Sequence, residues 1–384
     1  MTTGRRSPDT SHVILRPAGP GDEPQIRRLL TEVASGGDIS LRIEKEPDYF
    51  AASRVEGHPH DVLVGEDPGT NRIIGTGAMS EKSCFFNGQS DGVPLGYLSN
   101  LRIDKNYRSG DLLDRGYNQL EQMHKPRAAK LYLTTIMEDN VVARRALTSG
   151  RPGLPAYQDF GRLTTFVLGT WKNLFACRKK QGPKICNATE QPLTDILEFW
   201  NKEGRHSQFF PAYTSGDLTD PDGLLAGLGV ENIYLAMQAG QIVGTLALWD
   251  QRPFRQWVID SYSRRASLAR PIYNGWARLT GRPTLPSAGQ HLNYRFIGLT
   301  CVKDRSRVVF ESLLAHVWRQ VMEQDRGAMV MCALHESDPL APALQQQPHV
   351  PFNSRLYIVH WPDGQHAFTS LDKTLPPYVE LGSL

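Results

Sequence analysis

The 384-residue sequence has no pair of cysteines at CxxC spacing. Its five cysteines, Cys84, Cys177, Cys186, Cys301 and Cys332, are odd in number and scattered. That argues against a disulfide framework and for reduced, mostly buried thiols in a cytoplasmic protein. No apolar run approaches the roughly 18 to 20 residues that span a bilayer, so no membrane partner is expected. The opening MTTGRRSPDTS is polar and lacks an apolar core, so no signal peptide is expected. Charge of one sign is also missing. Lys and Arg number 43 against 40 Asp and Glu, a net of +3. A nucleic-acid partner is therefore not expected, although small anions remain open. His58 and His60 in HPH lack third and fourth ligands, and DPDG at Asp220 has too few oxygens for calcium. No metal is expected.

What is present fits an enzyme of two α/β (α+β) domains. Hydrophobic residues make up 40 % and charged residues 22 %, enough for sizeable cores. One order of motifs occurs twice. VILRPAGPGDEPQIRRLL and KICNATEQPLTDILEFW both read as strand, turn and amphipathic helix. RIIGTGAM is echoed by QIVGTLAL, with Gly75 and Gly244 offset by 169. YLSNLRIDK is echoed by FIGLTCVKD, with Ile103 and Val302 offset by 199. MEDNVVARRAL is echoed by HESDPLAPAL. Two steady offsets with one jump describe a duplication with an insertion near 252–292. The expected division is a flexible N-terminus at 1–11, one domain at 12–180 and a second at 181–384. The boundary falls in ACRKKQGPK, residues 176–184.

The stretch from Asn100 to Gly116 begins as a strand and ends as a helix whose apolar face holds Leu112, Leu113, Leu120 and Met123. The turn NYRSGD leads into the helix N-terminus, where free N–H groups and the dipole attract anions. Gly110 permits close backbone approach and Arg108 adds charge, which suits a diphosphate. A plain connection capped by Ser109 or Asp111 explains the same turn. Gly116 reads as a site of tight helix packing.

LRPAGPGDEPQIRRLL, RIIGTGAM, LSNLRIDKNYRSGDLL and MEDNVVARRAL, in that order, resemble the GCN5-related N-acetyltransferase (GNAT) family. The resemblance, taken twice, covers most of the chain. It implies two tandem domains of that kind, each with a mixed, mostly antiparallel sheet flanked by helices, and acetyl-CoA as co-substrate. The family's diphosphate loop is (Gln/Arg)-x-x-Gly-x-(Gly/Ala). Gly110 matches its first glycine, while the basic residue sits one place late at Arg108 and Leu112 takes the small-residue position. The implied CoA-binding residues are Leu101, Arg102, Ile103, Arg108, Ser109, Gly110, Asp111, Leu112 and Leu113, with Asn140 and Ala143 of the Asn-x-x-Ala motif. The tyrosine that protonates the leaving thiolate in many members is replaced by Leu147. Tyr157 is a possible substitute, or a core aromatic. The fourth-strand glutamate that serves some members as base is replaced by Tyr97.

Acetyl transfer needs a neutral amine, and an amine of pKa about 10.4 needs help to lose its proton near neutrality. Ser99 and Asn100 could order a water, and Glu81 could reach the cleft or be a solvated turn residue. The last residue, Leu384, offers a carboxylate, since some two-domain relatives use a chain terminus as base. The second copy, KDRSRVVFESLL, has no glycine before its helix, and Arg305 and Arg307 would fill the cradle, so it reads as degenerate. The expected activity is N-acetylation of a small or amino-acid-like amine by a monomer or homodimer. The alternatives are a non-catalytic acyl-CoA-binding module and, more remotely, transfer from aminoacyl-tRNA.

Overall fold

In a computed structural model, residues 10–32, 38–108, 111–169, 182–280, 282–325 and 327–384 are described. The first half supplies β1 (Ile14–Pro17), β2 (Ile39–Glu44), β3 (His60–Asp67), β4 (Arg72–Cys84), β5 (Val93–Ile103), β6 (Tyr132–Met137) and β7 (Ala156–Leu168). The second supplies β8 (Lys184–Asn187), β9 (Ile233–Gln238), β10 (Gln241–Trp249), β11 (Gln256–Tyr262), β12 (Tyr294–Val302), β13 (Met329–His335) and β14 (His349–His360). The β3–β4 turn illustrates the local logic. The Asp67 carboxylate accepts the Gly69 N–H at 2.9 Å and the Thr70 hydroxyl at 2.9 Å, which fixes the reversal.

Twelve strands form one sheet in the order β1-β3-β4-β5-β6-β14-β7-β13-β12-β10-β9-β8. The fold is the expected mixed, mostly antiparallel α/β arrangement, but the halves do not keep separate sheets. β14 inserts between β6 and β7, and β7 between β14 and β13, all antiparallel. Each half thus completes the other, and the largest apolar cluster runs through both, from Leu95 and Tyr97 to Trp249 and Phe296. β2 and β11 pair as a separate ribbon that also joins the halves.

Two pairs of parallel strands diverge. β5 and β6 pair only at Gly96↔Tyr132 and Tyr97↔Leu133. A Cβ on Gly96 would lie 2.0 Å from the Tyr132 ring, so only glycine lets the strands approach there. β12 and β13 pair from Tyr294↔Met329 to Phe296↔Met331 and then part. A bulge lies just beyond the last parallel pair in each case. The β4–β5 register shifts between Thr76 and Ala78, and the β10–β12 register between Thr245 and Ala247. Asn100 and Leu299 occupy the left-handed region at φ 55° and 49°, uncommon for residues other than glycine. No described helix is long and apolar enough to cross a membrane.

Candidate active site

The split between β5 and β6 opens into a cavity of about 300 Å³. On one side it is lined by Ser99, Asn100, Leu101 and Arg102 of β5, Thr134 to Met137 of β6, Asn140, Ala143, Leu147 and Tyr157. On the other side the ribbon contributes Ile39, Leu41, Ile43 and Trp257, and the second half adds Leu292, Met331, Phe352 and Leu384. Most of this surface is apolar, with few polar groups, as in small-molecule pockets generally. An adjoining groove lies between β4, β5 and the helix Leu112–His124, lined by Gly75, Gly77, Leu101, Ile103, Leu112, Leu113 and Gly116. A Cβ built on Gly116 meets nothing within 4 Å. Gly116 therefore faces open groove rather than a tight helix contact, contrary to the sequence reading.

The cavity's polar corner is built on Glu56, which is 1 % exposed. Its carboxylate is ion-paired with Lys45 and lies 3.4 Å from Arg255 Nη2. It also accepts the Ser99 hydroxyl at 2.7 Å. Burial works to raise its pKa, but Lys45, His60 and Arg255 outweigh burial and hold it well below the usual range. Burial brings Lys45 down to about 8. Arg255 donates to the Gly382 carbonyl at 3.0 Å and to the main-chain oxygen of Leu384. The corner therefore ties β5 to the ribbon and to the last residues of the sequence. Asn100 Nδ2 donates to Ser99 Oγ at 3.0 Å and Tyr49 Oη at 3.3 Å. At the far wall, the Tyr157 hydroxyl hydrogen-bonds that of Tyr117. Burial pushes Tyr117 up to about 12 and Tyr157 well above the ordinary value. Both stay protonated near neutrality and can donate.

The predicted residues divide as follows. Tyr97, Ser99, Leu101, Arg102, Asn140, Ala143 and Tyr157 line the cavity, and Ile103, Leu112 and Leu113 the groove. Burial raises the Tyr97 phenol, so it is not a base near neutrality. The Asn140 carboxamide oxygen accepts the Ala143 N–H at 3.2 Å, capping the helix Val141–Leu147. Arg108 is exposed and donates to the Ile103 carbonyl at 3.1 Å. Asp111 accepts the Thr10 hydroxyl at 2.7 Å. Ser109 and Gly110 lie outside the described residues. Glu81 is corrected on both readings. β4 continues to Cys84, so Glu81 is neither in a turn nor at the cavity; it is buried and paired with Arg127 at 3.1 Å.

Sequence reasoning missed Lys45, Glu56, Arg255 and Tyr117. Tyr117 had a signal, since it shares a helical face with Leu113 and Leu120. Glu56 and Arg255 are 199 residues apart, and no local pattern joins them.

The corresponding place in the second half is filled. Glu380, 3 % exposed, accepts the Leu299 N–H at 2.8 Å and hydrogen-bonds the Tyr378 hydroxyl. Arg305 pairs with Asp338 at 3.0 Å and donates to Ser207.

No family model matches the sequence, and no curated protein does. Solved structures do match in fold. Saccharomyces cerevisiae N-myristoyltransferase with bound myristoyl-CoA aligns with a TM-score of 0.58 at 9 % identity, over 96 % of this chain and 86 % of that one. A GCN5-related N-acetyltransferase from Sphaerobacter thermophilus aligns at 0.53 and 11 % identity, over 99 % and 100 %. A GCN5-related glucosamine N-acetyltransferase region of a fungal multi-domain β-N-acetylglucosaminidase aligns at 0.56 and 12 %, over 90 % of this chain and 38 % of that one. The exchanged strands, the two bulged divergences and these alignments identify the fold of this chain as that of the GCN5-related N-acetyltransferases.

Proposed function

We propose that the protein is an acyl-CoA-dependent N-acyltransferase whose working site is the first-half cavity, with a small molecule or amino-acid-like amine as acceptor. The observation that carries this reading is the contrast between Asn100 and Leu299. Both sit at the bulge where parallel strands part. At Leu299 the N–H already holds an oxygen, that of Glu380. At Asn100 the same position borders an open cavity. A main-chain N–H at such a position is suited to the oxygen of a thioester carbonyl and to the charge it gains during transfer.

The residues present fit an acyl-CoA. The groove beside Gly116 leaves room along the strand, and the helix Leu112–His124 turns its N-terminus toward the loop in which the diphosphate is proposed to sit. When bound, the co-substrate supplies an activated thioester. Tyr157, protonated and steadied by Tyr117, is positioned on the cavity wall to give a proton to the leaving thiolate. Ser99, held by Glu56, and Asn100 orient the acceptor amine or a water that takes its proton. Glu56 is itself a poor base, because two cations keep it ionised. The apolar wall of Ile39, Leu41, Ile43, Trp257 and Leu292 favours an acyl group longer than acetyl. The non-catalytic alternative draws on one fact: among the described lining residues Glu56 is the only acidic side chain, and it is locked.

Thiol release from acetyl-, octanoyl- and myristoyl-CoA with a panel of amines, with products weighed by mass spectrometry, tests the reading. Acylated amine from any donor supports it, and the preferred donor reports chain length. Saturable acyl-CoA binding without product from any pair favours the module.

A further inference from the structure

β10 and β12 are joined by residues 250–293, which hold β11 and a helix, Arg264–Thr280; β4 and β5 are joined by residues 85–92 alone. This helix is inverted. A surface helix ordinarily buries its apolar stripe and wets its polar face. Here Leu268, Ile272 and Leu279 are 80 %, 79 % and 84 % exposed, and Trp276 is 47 % exposed. At 3.6 residues per turn these four side chains fall within an arc of about 80°. The inward face is held by polar bonds instead. The Asn274 side chain donates to the Leu285 carbonyl at 3.0 Å and accepts its N–H at 2.8 Å. The Tyr273 hydroxyl donates to the Pro283 carbonyl at 3.1 Å, and Arg270 donates to Ser287 at 3.1 Å. Ala277 alone in the helix is buried. The apolar face is thus fixed outward.

Its charge has one sign. No Asp or Glu falls between Asp260 and Asp304. Arg264, Arg265 and Arg278 are exposed on the helix, and none has an ion pair among the described residues. Arg282 stacks on Trp276 at 4.7 Å. Carboxylates on and beside the adjoining ribbon are engaged: Asp38 accepts the Ser263 hydroxyl at 2.7 Å, and Asp260 and Glu44 pair with Arg42.

We propose that this helix docks the protein on an anionic phospholipid bilayer, with Leu268, Ile272, Trp276 and Leu279 entering the interface and the arginines meeting the headgroups. An exposed apolar stripe flanked by arginine and tryptophan is the pattern of interfacial helices. A second copy of the chain is the poorer occupant. A two-fold contact through this face would bring the arginines of both copies, Arg264, Arg265 and Arg278, together with no carboxylate on either helix to offset them. The inference departs from the expectation that no membrane takes part, and it does not depend on the acyl-transfer reading. The helix follows β11 directly, and Trp257 of β11 lines the cavity, so docking would place that cavity close to the lipid.

The test is sedimentation of the whole protein with vesicles of phosphatidylcholine, or of equal parts phosphatidylcholine and phosphatidylglycerol. The wild type should sediment with the mixed vesicles and hardly with phosphatidylcholine alone, and added salt should release it. Leu268→Ser/Ile272→Ser/Leu279→Ser should abolish sedimentation. Arg264→Gln, Arg265→Gln and Arg278→Gln should each weaken it about fivefold. Melting temperatures should hold in all of these, since the positions are exposed. Absence of wild-type sedimentation, or sedimentation of the triple serine variant equal to wild type, overturns the proposal. So does a dimer in equilibrium centrifugation that the serine variant dissolves while vesicles leave the wild type in solution.

Discussion

The two halves meet the same topological event in opposite ways. In each, two parallel strands part at a bulge with one residue in the left-handed region, Asn100 in the first half and Leu299 in the second. In the first half a carboxylate near the divergence, Glu56, is held in a corner of the cavity by Lys45 and Arg255, and the space beside Asn100 stays open. In the second half Glu380 enters the divergence and takes the Leu299 N–H. The same contrast holds at the turn before the following helix, where Arg305 is neutralised by Asp338. A divergence of strands creates hydrogen-bonding demand whether or not a ligand is bound. One half meets it with its own side chain; in the other the same position borders an open cavity.

Glu56→Leu would break this contrast most severely. It strands Lys45 and Arg255 in the interior and should cost about 3 to 5 kcal/mol in urea unfolding. Glu380→Leu removes a group whose direct partners are a backbone N–H and a phenol, and should cost less, about 1 to 3 kcal/mol. Equal losses would show that the two carboxylates do the same structural job. Tyr157→Phe should lower kcat roughly 100-fold with little change in the KM for acyl-CoA, leaving the fold intact. A wild-type kcat in that variant would remove Tyr157 from the chemistry. Arg305→Ala should cost about 2 kcal/mol by unpairing Asp338, yet leave CoA affinity in calorimetry unchanged, because the second half is proposed to hold no CoA. A large loss of affinity would mean the halves had been assigned the wrong way round.

The smallest effect lies in pH dependence. Glu56 has a folded pKa below its ordinary 4.5. Its contribution is present above that value and lost as pH falls through the folded pKa. Glu380 has a folded pKa above 4.5, chiefly from burial. The folded state holds its proton more tightly, so its contribution is full below 4.5 and declines as pH rises through the folded pKa. Urea midpoints of Glu56→Gln should therefore fall less in acid than those of the wild type. Those of Glu380→Gln should fall less between pH 4.5 and neutrality. Slopes of the same sign in both variants would contradict the contrast.

Much of this was legible locally. The offsets of 169 and 199 read from short motifs recur in the backbone, at the register shifts beside Thr76 and Thr245 and at Asn100 and Leu299. The family resemblance named Leu101, Asn140 and Tyr157, with Ser99 on the strand before the loop, and all four line one cavity. Glu81 was misread because the polar run SEKS looks like a turn, while in β4 its charge is met by Arg127, a partner 46 residues away in sequence. Lys45, Glu56 and Arg255 were invisible for the same reason: as single charges in sequence they resemble surface residues, and only the crossing of ribbon and sheet assembles them. The strand exchange was illegible because β7 and β14 carry the same alternation wherever they pair.

That exchange sets an order of manufacture. Phe352 and Ser354 of β14 line the first-half cavity, and β14 comes long after β6 and β7 in the chain. On the ribosome, β6 and β7 emerge long before the strand that separates them, so the first half must wait with a missing neighbour. The cavity wall is complete only once β14 has been made, and a chain halted before that strand carries the cavity unfinished.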